Sequence, residues 1–89
     1  MDILWDEEKN RRLTKERGIS FEEVADLIIR RQYVRILKHK KRPLQRIFLI
    51  PIHGYIHAVP FILDDDNNIV LKTIFPSRKF HRQFGGQEQ

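Results

Sequence analysis

The sequence has no cysteine, one methionine and one tryptophan, and only four glycines and four prolines among its 89 residues. Without cysteine there is neither disulfide support nor a thiolate zinc site, so the fold has to rest on a packed apolar core. No run of about twenty apolar residues is present to cross a bilayer. The opening Met1-Asp2-Ile3-Leu4-Trp5-Asp6-Glu7 also lacks a basic segment followed by an apolar one. These absences lead us to expect a cytoplasmic protein with no membrane partner. Phosphate-cradling glycine loops, GxSxG elbows and HExxH pairs are missing as well, which removes the usual nucleotide-binding and hydrolase signatures.

Acid is the scarcer charge. Against 17 Lys+Arg stand 12 Asp+Glu, a net charge of +5, and such an excess attracts an anionic partner, either nucleic acid or an acidic protein. A chain of this length holds one domain and hides only roughly 60% of its unfolded surface. We place that domain at residues 1–84, with 85–89 as a frayed tail.

Ile3-Leu4-Trp5 suits a first strand or anchoring arm. Asp6 then caps a polar helix from Glu7 to Arg17, whose acids lie early and bases late, and Gly18 ends it. Ser20-Phe21-Glu22-Glu23 reads as a capping box, stapled by Ile19 and Val24, for a second helix from about Phe21 to Arg31. From Tyr33 the apolar period changes to two, and the strands expected are an edge strand to His39, an internal one from Gln45 to His53, a third from Tyr55 to Leu63, and a last one from Ile69 to Phe75. Gly54 and the Asp64–Asn68 segment read as turns, and Phe80–Phe84 as a short helix or a segment folded back. The pattern predicts an α+β domain, two N-terminal helices laid on one face of a small antiparallel sheet with a short C-terminal helix or tail.

The histidines stand without a neighbouring carboxylate in sequence, so neither a metal nor another cofactor is called for. RNA needs none, because its own 2′-hydroxyl is the nucleophile and a base, a cation and an acid complete the site. His57, midway along its strand, or else His81, is the candidate to move a proton, as acid or as base, and Arg46, Arg78 and Lys79 are the candidate phosphate-binding cations. Arg17, Lys72, His81 and Arg82 are candidate RNA contacts. Each has a plainer reading. His57 shares a face with Tyr55, Val59 and Phe61 and can be a packed core histidine, Lys72 can guard a sheet edge, and the run after Ser77 can be a solvated basic tail. Phe75, Phe80 and Phe84 around that run argue for a held segment instead.

Trp5-Asp6-Glu7-Glu8-Lys9-Asn10, Arg17-Gly18-Ile19-Ser20-Phe21-Glu22-Glu23 and Ser77-Arg78-Lys79 together resemble the opening, middle and closing motifs of the BrnT-type toxin family of bacterial type II toxin-antitoxin systems. The resemblance implies a small RelE-like ribonuclease fold, metal-independent mRNA cleavage that halts translation, and a cognate antitoxin that carries the pair to operator DNA. It departs from the family where Arg17 replaces a histidine before the glycine, and where Ile50-Pro51-Ile52-His53-Gly54 replaces a glycine-rich hairpin. A non-catalytic protein- or RNA-binding module related to such toxins is the alternative.

Overall fold

In the computed structural model, which describes residues 1–85, the chain runs β1 (Ile3–Leu4), α1 (Glu7–Arg17), α2 (Phe21–Ile29), β2 (Arg35–Lys38), β3 (Gln45–Ile52), β4 (Tyr55–Leu63), β5 (Ile69–Leu71), β6 (Phe75–Pro76) and α3 (Arg78–Phe84). The tail expected at 85–89 falls, after Gly85, outside the described residues.

Local chemistry sets the helix ends. Asp6 Oδ1 accepts hydrogen bonds from the Glu8 and Lys9 amides, at 2.9 and 3.2 Å, and α1 closes on Gly18, whose φ of 69° is left-handed. Ser20 Oγ accepts from the Glu23 amide at 3.0 Å, as a capping box requires. The reciprocal bond does not form, and the Glu23 carboxylate turns to His53 instead. The second helix stops at Ile29, short of the expected Arg31, which sits outside it with a φ of 58°.

Only Asn10 and Leu13 of α1 are buried, and Asn10 joins the two helices. Its Oδ1 accepts from the Phe21 amide at 2.7 Å, while Nδ2 donates to Glu22 and Glu7 at 2.7 and 3.2 Å. From α2, Phe21, Val24 and Ile28 pack onto Phe48, Ile50, Ile52, Val59 and Phe61 of the sheet.

The sheet order is β1-β5-β4-β3-β2, with β6 also on β4. The expected antiparallel sheet is found with one refinement. The sheet is not wholly antiparallel, because β1 runs parallel to β5. The two N-terminal helices share one face, as expected, and Phe80 and Phe84 of α3 pack with Leu49, Ile56 and Ala58 on the other.

The expected single last strand is divided into β5 and β6. Phe61 pairs with Leu71 and Ala58 with Phe75, so three steps along β4 (61 to 58) are matched by four along its neighbour (71 to 75). That extra residue is a β-bulge. Pro60 lies opposite it and has no N–H to give, although its carbonyl still accepts from the Lys72 amide at 2.8 Å.

A histidine cleft between the hairpin and helix one

The connection between β3 and β4 is only His53-Gly54, with φ values of 53° and 78°. Two consecutive positive φ angles make a type I′ turn, whose twist matches that of the strands, and this turn fixes the register that pairs His57 with Ile50. His57 therefore faces α1 and α2. It is 6% exposed, and its Nδ1 donates to the Tyr55 carbonyl at 2.8 Å. With Nδ1 committed, Nε2 is the nitrogen left for proton transfer. Burial is the largest influence on His57 and lowers its pKa from 6.5. The Tyr55 carbonyl and Glu23 act the other way, while the charges of His53 and Arg17 add to the lowering. At neutral pH the side chain is an uncharged base.

A cleft of about 560 Å³ opens beside it, lined by Arg17, His53, Tyr55, His57 and Arg78 together with Ile19, Ile52 and Pro76. Arg17 reaches it from the end of α1 and is anchored there, since Nη1 donates to the Ile74 carbonyl in the bulge at 2.9 Å. Arg78 is the first residue of α3, whose entry is fixed by two Ser77 contacts. The Ser77 amide donates to the Ile56 carbonyl at 3.0 Å, and Ser77 Oγ accepts from the Phe80 amide at 3.3 Å. His53 Nε2 lies 3.0 Å from the Glu23 carboxylate.

Other expected site residues lie elsewhere. Arg46 pairs with Phe61 and Lys38, four residues along β3 from the partner of His57, about 14 Å away at strand spacing. Lys72 is exposed at the bulge, and Arg82 is exposed on α3. Lys79 extends over the Phe80 ring, 5.5 Å from its centroid. His81 has a positioning role: Nδ1 accepts from the Ile56 amide at 3.2 Å, and the ring stacks on Tyr55 with centroids 4.0 Å apart. Tyr55 in turn meets His57 edge-on.

The residue that the sequence reading left out is His53. Its signal was the His53-Gly54 dipeptide, which places a side chain at the tip of the same hairpin as His57. A larger cleft of about 670 Å³ lies between α2 and the sheet, but its lining includes Trp5, Ile28, Tyr33 and Ile36 and no histidine. The smaller one has the chemistry. Among the described residues no three His, Cys, Asp or Glu side chains gather closely enough to hold a metal ion, and no helix is long and apolar enough to cross a membrane.

No protein-family model matches this sequence, and neither does any curated protein. Among solved structures, the 1.1 Å crystal structure of the Brucella abortus ribonuclease toxin BrnT superposes with a TM-score of 0.63 at 17% identity, over 86% of this chain and 96% of that one. The fold expected from the opening and middle motifs is therefore the one found, and this chain has the α+β fold of the BrnT ribonuclease toxin.

Proposed function

We propose that the protein is a toxin of a type II toxin-antitoxin system that cleaves RNA without a metal ion, using the cleft between the β3–β4 hairpin and α1. The observation that carries this reading is the buried, uncharged His57, its Nδ1 held by the Tyr55 carbonyl, in a cleft it shares with Arg17 and Arg78. His57 Nε2 takes the proton from a ribose 2′-hydroxyl. The freed 2′-oxygen attacks the adjacent phosphorus, the bond to the 5′-oxygen breaks, and the products are a 2′,3′-cyclic phosphate and a 5′-hydroxyl. Arg17 and Arg78 balance the charge that builds on the phosphate oxygens. His53, oriented by Glu23, gives its proton to the departing 5′-oxygen. Lys79, Arg82, Lys72 and Arg46 lie outside this group and act at most on more distant parts of the RNA.

A small, strongly basic ribonuclease has to be restrained in the cell that makes it. An acidic antitoxin suits the net charge of +5, and it would bring the pair to operator DNA through its own DNA-binding segment.

The test incubates purified protein with single-stranded RNA in excess chelator and identifies the cleavage ends. Wild type should yield cyclic phosphate and 5′-hydroxyl ends, and His57→Ala should be about 10²- to 10⁴-fold slower, the usual contribution of a general base. Induction of wild type in bacteria should arrest growth and degrade message. Intact RNA with retained RNA binding would replace this reading by that of a non-catalytic RNA-binding module. Cleavage undiminished in His57→Ala would leave the activity and reject the site.

A further inference from the structure

Beside the histidine cleft lies a second depression of about 340 Å³, lined by Lys9, Arg12, Leu13, Glu16, Arg17 and Thr73. Arg17 belongs to both. Its bond to the Ile74 carbonyl fixes the guanidinium at the junction, and the bulge brings Thr73 to the wall facing α1. Lys9, Arg12, Leu13, Glu16 and Arg17 recur at helical spacing, so one face of α1 forms the other wall. The rise of a helix puts Lys9 about 12 Å from Arg17.

The ion pairs among the described residues are Arg30 with Asp26 and His53 with Glu23. Lys9, Arg12 and Arg17 thus have no carboxylate of the described residues within 4.0 Å, even though Glu16 stands in the same wall. Cations that share a concave surface without an ion-pair partner remain available to an external anion, and condensed counterions are what that anion would release. A groove that continues from one phosphate site through a shared arginine to two more cations fits a chain of phosphates better than a single one.

Resting on the ribonuclease reading, we propose that the Lys9–Arg12–Arg17 face of α1 is the track for RNA phosphates flanking the cleaved one, so that substrate is held along helix one as well as in the histidine cleft. The track accepts single-stranded RNA by its backbone and carries no base preference of its own.

The experiment uses the His57→Ala protein, which does not consume its ligand, and measures binding of oligouridine of about three and about twelve nucleotides across a salt series. The variants are Lys9→Gln with Arg12→Gln, and, as a control of equal charge on the same helix, Arg11→Gln with Lys15→Gln, which line neither cleft. Removing two phosphate contacts should lower the slope of log K against log salt by about 1.4 for the longer RNA. The affinity gap to the parent should then narrow about sevenfold between about 50 and about 200 mM salt. Binding of the trinucleotide should change little.

A Lys9/Arg12 pair that binds the longer RNA as the parent does, or only as weakly as the Arg11/Lys15 pair, overturns the track and leaves the cleft reading standing. A parent that binds neither RNA overturns the RNA reading itself. Circular dichroism matching the parent's establishes that each variant is folded.

Discussion

Removing the Asn10 side chain should cost more stability than any other polar truncation on α1. In Asn10→Ala the Phe21 amide, at the first turn of α2, loses its acceptor at 2.7 Å in a buried position. An unmade hydrogen bond of that kind costs about 1–3 kcal/mol. Domains of this size have little to spare, since native stabilities are typically about 5–15 kcal/mol and small cores lie toward the lower end. With a urea m-value of about 1 kcal/mol/M, the midpoint should fall by about 1–3 M. Trp5 is a convenient reporter, because its ring stacks on Phe21 with centroids 6.0 Å apart. Fluorescence should therefore follow the same transition as circular dichroism. Asn10→Asp sharpens the test. It retains an acceptor for the Phe21 amide but sets a carboxylate against Glu7 and Glu22, both of which the native amide serves. Its deficit at neutral pH should shrink as the pH falls through the carboxylate range near 4. An Asn10→Ala midpoint within about 0.3 M of the parent would refute the claim that this side chain fastens α1 to α2.

Because the folded His57 pKa lies below 6.5, the unfolded chain binds the proton more readily. The stability that His57 contributes is then complete above about pH 6.5 and is lost as the pH falls through that value toward the folded pKa. Equilibrium urea unfolding across this window should show a shallower pH dependence for His57→Gln, and an unchanged slope would count against burial as the cause. Cleavage should likewise decline on the acid side as His57 becomes protonated, a limb that a pH–rate profile resolves. His81→Ala strips the Ile56 amide of its acceptor, so thermal unfolding should report a loss of about 1–3 kcal/mol, whereas an asparagine there should recover part of it. Gly54→Ala meets no neighbouring atom and should cost only the left-handed backbone penalty, about 1 kcal/mol; a larger loss in denaturant titration would mean that the turn is not type I′.

Features written into the sequence over short distances were legible. Asp6, Gly18 and Ser20 act on amides or carbonyls within four residues, so the helix ends follow from residue type alone. Period-two alternation likewise placed Tyr55, His57, Val59 and Phe61 on one face of β4. The cleft was another matter. Arg17 meets a carbonyl 57 positions away and His53 a carboxylate 30 positions away, and neither separation has a local signature. Alternation gives the face a strand residue occupies but not its distance along the strand from a residue on the neighbour, which is why Arg46 read as a companion of His57 and stands apart from it. The residues that carry the family resemblance show the same division. Asp6, Asn10, Gly18 and Ser20 build the helix pair, so they speak for the fold, while the charged motif residues that line the cleft are Arg17 and Arg78, with Ile19 beside them.

The two-residue turn at His53-Gly54 has a kinetic consequence. Closing the β3–β4 hairpin demands almost no loop, so its eight register pairs can form early, whereas β1 must find β5 across 66 positions. On this ordering, His53, Tyr55 and His57 would be in place while the arginines are still unattached. Arg17 waits for the bulge carbonyl, and Arg78 waits for β6 and α3 to dock on β4. If the proposed ribonuclease reading holds, a partly folded or newly made chain would hold the base without the cations, and cutting power would arrive only with the last docking step.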